Sequence, residues 1–121
     1  LEIASPAPIQ KPGVTPAIIA QGQGLFFGNC VLCHANQHRS ITPDLRRMQQ
    51  GTHEVFRKIV LEGLLVPNGM PRWDDRLKPG EVDAIHAYLI DVQAKTREEE
   101  LGKRKRGLPL DTPSLAILSS Y

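Results

Sequence analysis

Apolar positions along this chain recur with a helical period, and nowhere with the two-residue period of a strand. Ile18, Gly22, Leu25 and Phe26 share one face of a segment that opens at Thr15-Pro16, a capping threonine followed by proline at the first helical position. The spacing predicts a helix from there to about Cys30. Its glycines weaken it intrinsically, which implies that something packs close to its backbone. Val55, Phe56, Ile59 and Val60 form a second stripe, with Thr52 as its expected cap and Gly63 as its stop. The third stripe is the strongest. Val82, Ile85, Leu89 and Val92 follow Pro79 and Glu81, and the ordered pairs Glu99–Lys103 and Glu100–Arg104 carry the helix into a charged stretch. Gly107, Pro109 and Pro113 close it.

The intervening segments read as irregular. Ala35 to Gln50 is polar, with a short helical turn expected after Pro43-Asp44. Leu64 to Arg76 holds Pro67, Asn68-Gly69 and Pro71 and is expected to be a loop without helix or sheet. With no strand pair and no internal repeat, the fold class is all-α. The expected organisation is a proline-rich linker or extended segment over 1–14, a domain over 15–95, and a charged helix extension with an apolar tail over 96–121.

Composition narrows the class. The chain has 121 residues and 13.4 kDa, room for one domain, and its 40% hydrophobic and 23% charged residues suit a soluble globular protein. Three Phe, one Trp and two Tyr are a thin supply of large core side chains, so a disulfide, metal or cofactor is expected to help. Two cysteines cannot build a disulfide scaffold. The net charge of +2 leaves no broad basic face, because the run Lys103-Arg104-Lys105-Arg106 follows Glu98-Glu99-Glu100; nucleic acid is excluded as a partner. No apolar stretch approaches the roughly 20 residues of a transmembrane segment. The chain starts at Leu1 without initiator Met or signal pattern, which reads as mature or excised sequence.

The chemistry is concentrated in Cys30-Val31-Leu32-Cys33-His34, a C-x-x-C-H run and the attachment signature of c-type haem. Two intervening residues let both thiols form thioethers with the vinyl groups along one ring edge, and the adjacent His34 is delivered beneath the ring to ligate iron. Half a zinc site is the first alternative, but no second cysteine pair exists. A thioredoxin-like dithiol is the second, yet it belongs at a helix start in an α/β pattern. For the sixth iron ligand, Met70 in Asn68-Gly69-Met70-Pro71 lies in a loop able to round the ring, and Pro71 restricts it. Met48 reads as a packing residue. His38, His53 and His86 compete; the patterns place His53 in a first helical turn and His86 on the flank of the third stripe, as surface or capping residues.

Over residues 16–95 these features resemble the class I cytochrome c family, in which a glycine and an aromatic on the first helix cross an aromatic-bearing last helix. Gly22 and Phe26 match the former, Ala87-Tyr88-Leu89 the latter, with Ile85 facing the glycine. The chain is also similar to the C-terminal cytochrome domain of quinohaemoprotein (PQQ-dependent) alcohol dehydrogenases. The matching stretches are Thr15-Pro16-Ala17, Pro43-Asp44-Leu45-Arg46, Ile59-Val60-Leu61-Glu62-Gly63, Gly69-Met70-Pro71 and Ala84-Ile85-His86-Ala87-Tyr88-Leu89. That resemblance implies Arg46 near a haem propionate and Trp73 over the propionate edge. The bland readings are a solvated arginine and an ordinary core tryptophan.

The expected function is electron transfer through one covalent haem c, with His34 and Met70 filling both axial positions and apolar packing by Phe26, Phe56, Leu64 and Trp73 excluding water. The resemblance implies a PQQ-dependent dehydrogenase domain or subunit as donor, with PQQ outside this chain, and a cytochrome, copper protein or oxidase as acceptor. It also implies a periplasmic location. A free-standing diffusible cytochrome and a haem enzyme with an open distal site are the rival readings.

Overall fold

The computed structural model describes residues 6–9, 11–30, 45–68 and 70–107. Helix α1 spans Pro16–Asn29. Thr15, extended at φ −120° and ψ 161°, accepts the Ile18 N–H at 3.2 Å through Oγ1. This satisfies an otherwise orphaned donor and stabilises the helix by about 1 kcal/mol. At the other end Cys30 N–H donates to Phe26 O at 2.8 Å. Leu45–Arg47 then make a single 3-10 turn, where the pattern expected one.

The second predicted helix is two. Helix α2 spans Gln50–Glu54 and helix α3 spans Phe56–Leu61, broken at Val55 with φ −111° and ψ 19°. Thr52 is not the cap; the first helix begins two residues earlier after extended Gln49 and has no side-chain cap. The break sets two rings against a third. Phe56 stacks on His86 with centroids 4.3 Å apart, and His53 approaches the same imidazole at 5.1 Å. Val55 and Thr52 are β-branched and resist a helical interior, so the interruption costs little. Gly63 ends α3 as expected: at φ +73° it takes the left-handed conformation that favours glycine, and Leu64 N–H turns back to Lys58 O at 3.2 Å.

The loop after it is irregular except for one 3-10 turn, Val66–Asn68, which the prolines had argued against. Proline in fact suits the first turn of such a helix, where its missing N–H is not needed. Met70 N–H donates within the loop to Leu65 O at 3.2 Å, and Trp73 N–H donates to Val60 O at 2.8 Å, which ties the loop to α3. Helix α4 spans Pro79–Lys105 without interruption. Glu81 Oε1 accepts the Lys78 N–H at 2.9 Å, and Gly107 at φ +74° follows the end of this helix. There is no strand among the described residues.

The core is the crossing of α1 and α4. A Cβ on Gly22 would lie 1.8 Å from Ala84 O and 3.0 Å from Ile85 N, so the two backbones touch where the glycine stands. Phe26, fully buried, meets Tyr88 at 5.6 Å. Met48, Phe56, Val60, Leu77, Val82, Ile85, Leu89 and Val92 complete one cluster. Met48 is thus the packing residue expected of it. Leu64 is not: it is half exposed.

Candidate cofactor site

Cys30 is the residue that caps the C-terminus of α1, half-buried, with its side chain packed against the core cluster. Met70 and Trp73 pack against that same cluster from the loop between α3 and α4, and both are also half-buried. The fold therefore brings a thiol from the end of α1, and a thioether and an indole from one later loop, to the margin of one apolar cluster. Cys33, His34 and His38 lie outside the described residues. Arg46 is buried in the 3-10 turn, which rules out its reading as a solvated arginine. The Trp73 ring carries the Arg76 guanidinium 5.7 Å from its centroid, a cation–π contact at the outer edge of useful range.

His53 and His86 are neither surface nor capping residues. Both are buried, and each uses both ring nitrogens. His53 Nδ1 faces His86 Nε2 at 2.8 Å, His53 Nε2 faces Gln93 Oε1 at 2.7 Å, and Lys11 Nζ stands 3.4 Å from His86 Nδ1. With their nitrogens engaged in this way, neither imidazole is offered to an iron. Burial lowers the pKa of both rings; His86, which also feels Lys11 and His53, is pushed down to about 3.

These burials had a readable signal. Val82, His86, Leu89, Gln93, Thr96, Glu100 and Lys103 recur at alternating spacings of four and three, and all seven are buried. Following only apolar members of the stripe hides its polar ones. Glu100, read in the sequence as the i,i+4 partner of Arg104, is 4% exposed and receives Arg47 Nη2 at 2.6 Å, which fastens the 3-10 turn to the far half of α4.

The described part of the donor set fits haem c. A covalent haem with histidine and methionine ligation calls for a thiol held at a helix end, a soft sulfur donor in a loop and an apolar surface between them. Cys30, Met70 and the Phe26–Tyr88 cluster supply these. Two buried hydroxyls, Tyr88 Oη and Thr96 Oγ1, have no hydrogen-bond partner among the described residues. Burial pushes the Tyr88 phenol up to about 12, so it stays a donor at any working pH. Among the described residues no group of three or more His, Cys, Asp or Glu side chains could hold a metal ion, and no helix is long and apolar enough to cross a membrane.

Comparison with known proteins agrees with this reading. The family described as cytochrome C oxidase, cbb3-type, subunit III matches residues 17–89. Quinohemoprotein alcohol dehydrogenase ADH IIB of Pseudomonas putida is 37% identical over 98 residues, covering 79% of this chain but 14% of that protein. Cytochrome c6 of Chlorolobion braunii is 34% identical over 85 residues, covering 64% of this chain and 94% of that protein. The solved structure of quinohemoprotein alcohol dehydrogenase ADHIIG from Pseudomonas putida HK5 superposes with a TM-score of 0.69 at 31% identity, over 88% of this chain and 15% of that one. The chain thus spans about one seventh of the dehydrogenases it matches and nearly all of the cytochrome c6. It belongs to the cytochrome c family, as an all-α electron-transfer domain related to the cytochrome c domains of quinohaemoprotein alcohol dehydrogenases.

Proposed function

We propose that this chain holds one haem c through Cys30 and Cys33, with His34 and Met70 as axial ligands, and relays electrons from a PQQ-dependent alcohol dehydrogenase to a downstream acceptor. The observation that carries the reading is the meeting of Cys30 and Met70 at one apolar cluster, beside the C-x-x-C-H run. When bound, haem c would supply a one-electron ferric–ferrous couple, with His34 and Met70 as the residues that would hold its iron. The protein's part is to anchor, to exclude water and to tune. Phe26, Tyr88 and the side chains around them present the apolar wall, and the Met70 thioether favours the ferrous state and so raises the potential. Arg46, buried in its 3-10 turn, would neutralise a propionate, and Trp73 would cover the same edge. The dehydrogenase domain or subunit would carry PQQ, and a cytochrome, copper protein or oxidase would accept the electron. Covalent haem attachment of this kind takes place outside the bacterial cytoplasm, which makes the periplasm the proposed location.

The likeness to two Pseudomonas putida quinohaemoprotein alcohol dehydrogenases over 79% and 74% of the chain supports the dehydrogenase as donor. A diffusible shuttle is the second reading, favoured by the near-complete coverage of cytochrome c6. A denaturing pyridine haemochrome assay on the purified protein tests haem binding: one haem per chain is expected, and none means a zinc or dithiol module. The mass of the natural polypeptide separates the other two, several times 13.4 kDa for a dehydrogenase domain and about that mass for a shuttle.

A further inference from the structure

The buried histidine pair sits at the end of a chain of hydrogen bonds whose direction can be worked out. Gln93 Nε2 lies 2.8 Å from Pro6 O and 2.9 Å from Met48 O; two carbonyls can only accept, so the amide nitrogen must face them. Gln93 Oε1 therefore faces His53, and His53 Nε2 must carry a proton to donate to it. His53 Nδ1 is then bare and accepts from His86 Nε2. His86 Nδ1 is bare in turn and accepts from the Lys11 ammonium. One tautomer of each ring satisfies every contact, and both rings are neutral.

Lys11 belongs to the N-terminal strap, residues 6–9 and 11–14, which has no regular helix and crosses α4 at two described points, Pro6 O on Gln93 and Lys11 on His86. We propose that this arrangement is an acid-sensitive latch: one proton added to either ring expels Lys11 from His86 and frees the Lys11 end of the strap, while Pro6 stays tethered to Gln93.

The outcome is the same whichever ring is charged. Three protons must then be shared among four ring nitrogens. His53 Nε2 keeps its proton for Gln93, and one proton occupies the bond between the rings. The third can only sit on His86 Nδ1. There it confronts Lys11 Nζ, a donor with no lone pair, so a hydrogen bond becomes a meeting of two donors and, when His86 carries the charge, of two cations. Asp83 Oδ1, 3.9 Å from Nζ, stands at the limit of an ion pair and is too weak a tether to keep the displaced lysine on α4. Asp83 is also held by Arg57 from α3, whose guanidinium lowers its pKa and keeps it charged. Among the described residues, the groups bearing on the pair are Lys11 from the strap, Asp83 and Gln93 from α4, Arg57 from α3 through Asp83, and the Met48 carbonyl before α2. Desolvation and the Lys11 charge both resist protonation, so the latch stays closed at neutral pH and opens in acid.

The test is nitrogen-15 NMR on the haem-loaded protein between pH 7.5 and 3, with haem absorbance and helical circular dichroism followed in parallel. At neutral pH both rings should show a protonated Nε2 and a bare Nδ1. On acidification the Ile9 and Lys11 amide signals should shift with the same midpoint as the ring nitrogens, while the Soret band and helix signal hold steady. In Lys11→Met the histidine midpoint should move up, and the strap amides should already resemble the acid form at pH 7. Rings that titrate under an unmoved strap would overturn the latch. So would a strap that responds identically in Lys11→Met, or global unfolding before either group titrates.

Discussion

Gly22→Ala isolates the helix crossing on which the core depends. The added Cβ would lie 1.8 Å from Ala84 O and 2.4 Å from Ala84 C. Carbon and oxygen need a little over 3 Å, so α1 and α4 must part by somewhat more than an ångström. Both obstacles are backbone, so no side chain can swing aside. Separating the helices also loosens Phe26 from Tyr88 and displaces Cys30 at the end of α1. Overpacking costs ~1–3 kcal/mol in ordinary cores, and a backbone-to-backbone clash belongs at or beyond the top of that range. Alanine returns about 1 kcal/mol of helix propensity, leaving a net loss of roughly 2 kcal/mol or more. For a domain of this size that lowers Tm by about 10 °C. Gly24→Ala is the control, since no atom of the described residues lies within 4 Å of where its Cβ would stand and propensity alone should make it more stable. Thermal melts of both haem-loaded variants, read by circular dichroism at one pH, give the comparison. If Gly22→Ala melts with Gly24→Ala, the close crossing does not exist in solution.

Stability should fall in acid through the histidine pair. A histidine whose folded pKa is depressed leaves the unfolded chain holding more protons, so its contribution is complete above the ordinary value of 6.5 and is lost as pH drops towards about 3 for His86. The full interval is worth up to several kcal/mol; urea midpoints at pH 7, 5.5 and 4.5 should decline in that order, and flat midpoints would refute the burial of the pair. Arg47→Ala should cost about 1 kcal/mol, measured by the same denaturation, because it takes a charged hydrogen bond from the 4%-exposed Glu100; Arg72→Ala, which breaks an exposed pair with Asp74, should change little.

Local chemistry made much of the fold legible. Thr15-Pro16, Gly63, Pro79 with Glu81 and Gly107 are caps and stops whose effect depends on neighbours a few residues away, and each sits where its chemistry placed it. The Gly22–Ile85 crossing was legible through resemblance, because a glycine in a weak helix has no local justification. What hydropathy hid was polar burial. His53, His86, Gln93 and Glu100 are inside because partners 33, 40 and 53 positions away satisfy them. A pattern that sends every polar residue to water cannot see pairings made only in the folded chain. The break at Val55 has the same origin, since it serves ring contacts with a helix beyond the loop. In the site, Cys30 packs against the same cluster as Met70 and Trp73, which stand 40 and more residues further along the chain, a meeting that no local pattern encodes.

The assignment of Met70 to the iron is decided by one substitution. Met70→Ala, purified with its haem, should keep one covalent haem per chain by the pyridine haemochrome assay, lose the sulfur-to-iron absorption band of the ferric form and show a lower reduction potential. An unchanged ferric spectrum and potential would remove Met70 from the sixth position and, with it, the electron-transfer site described above.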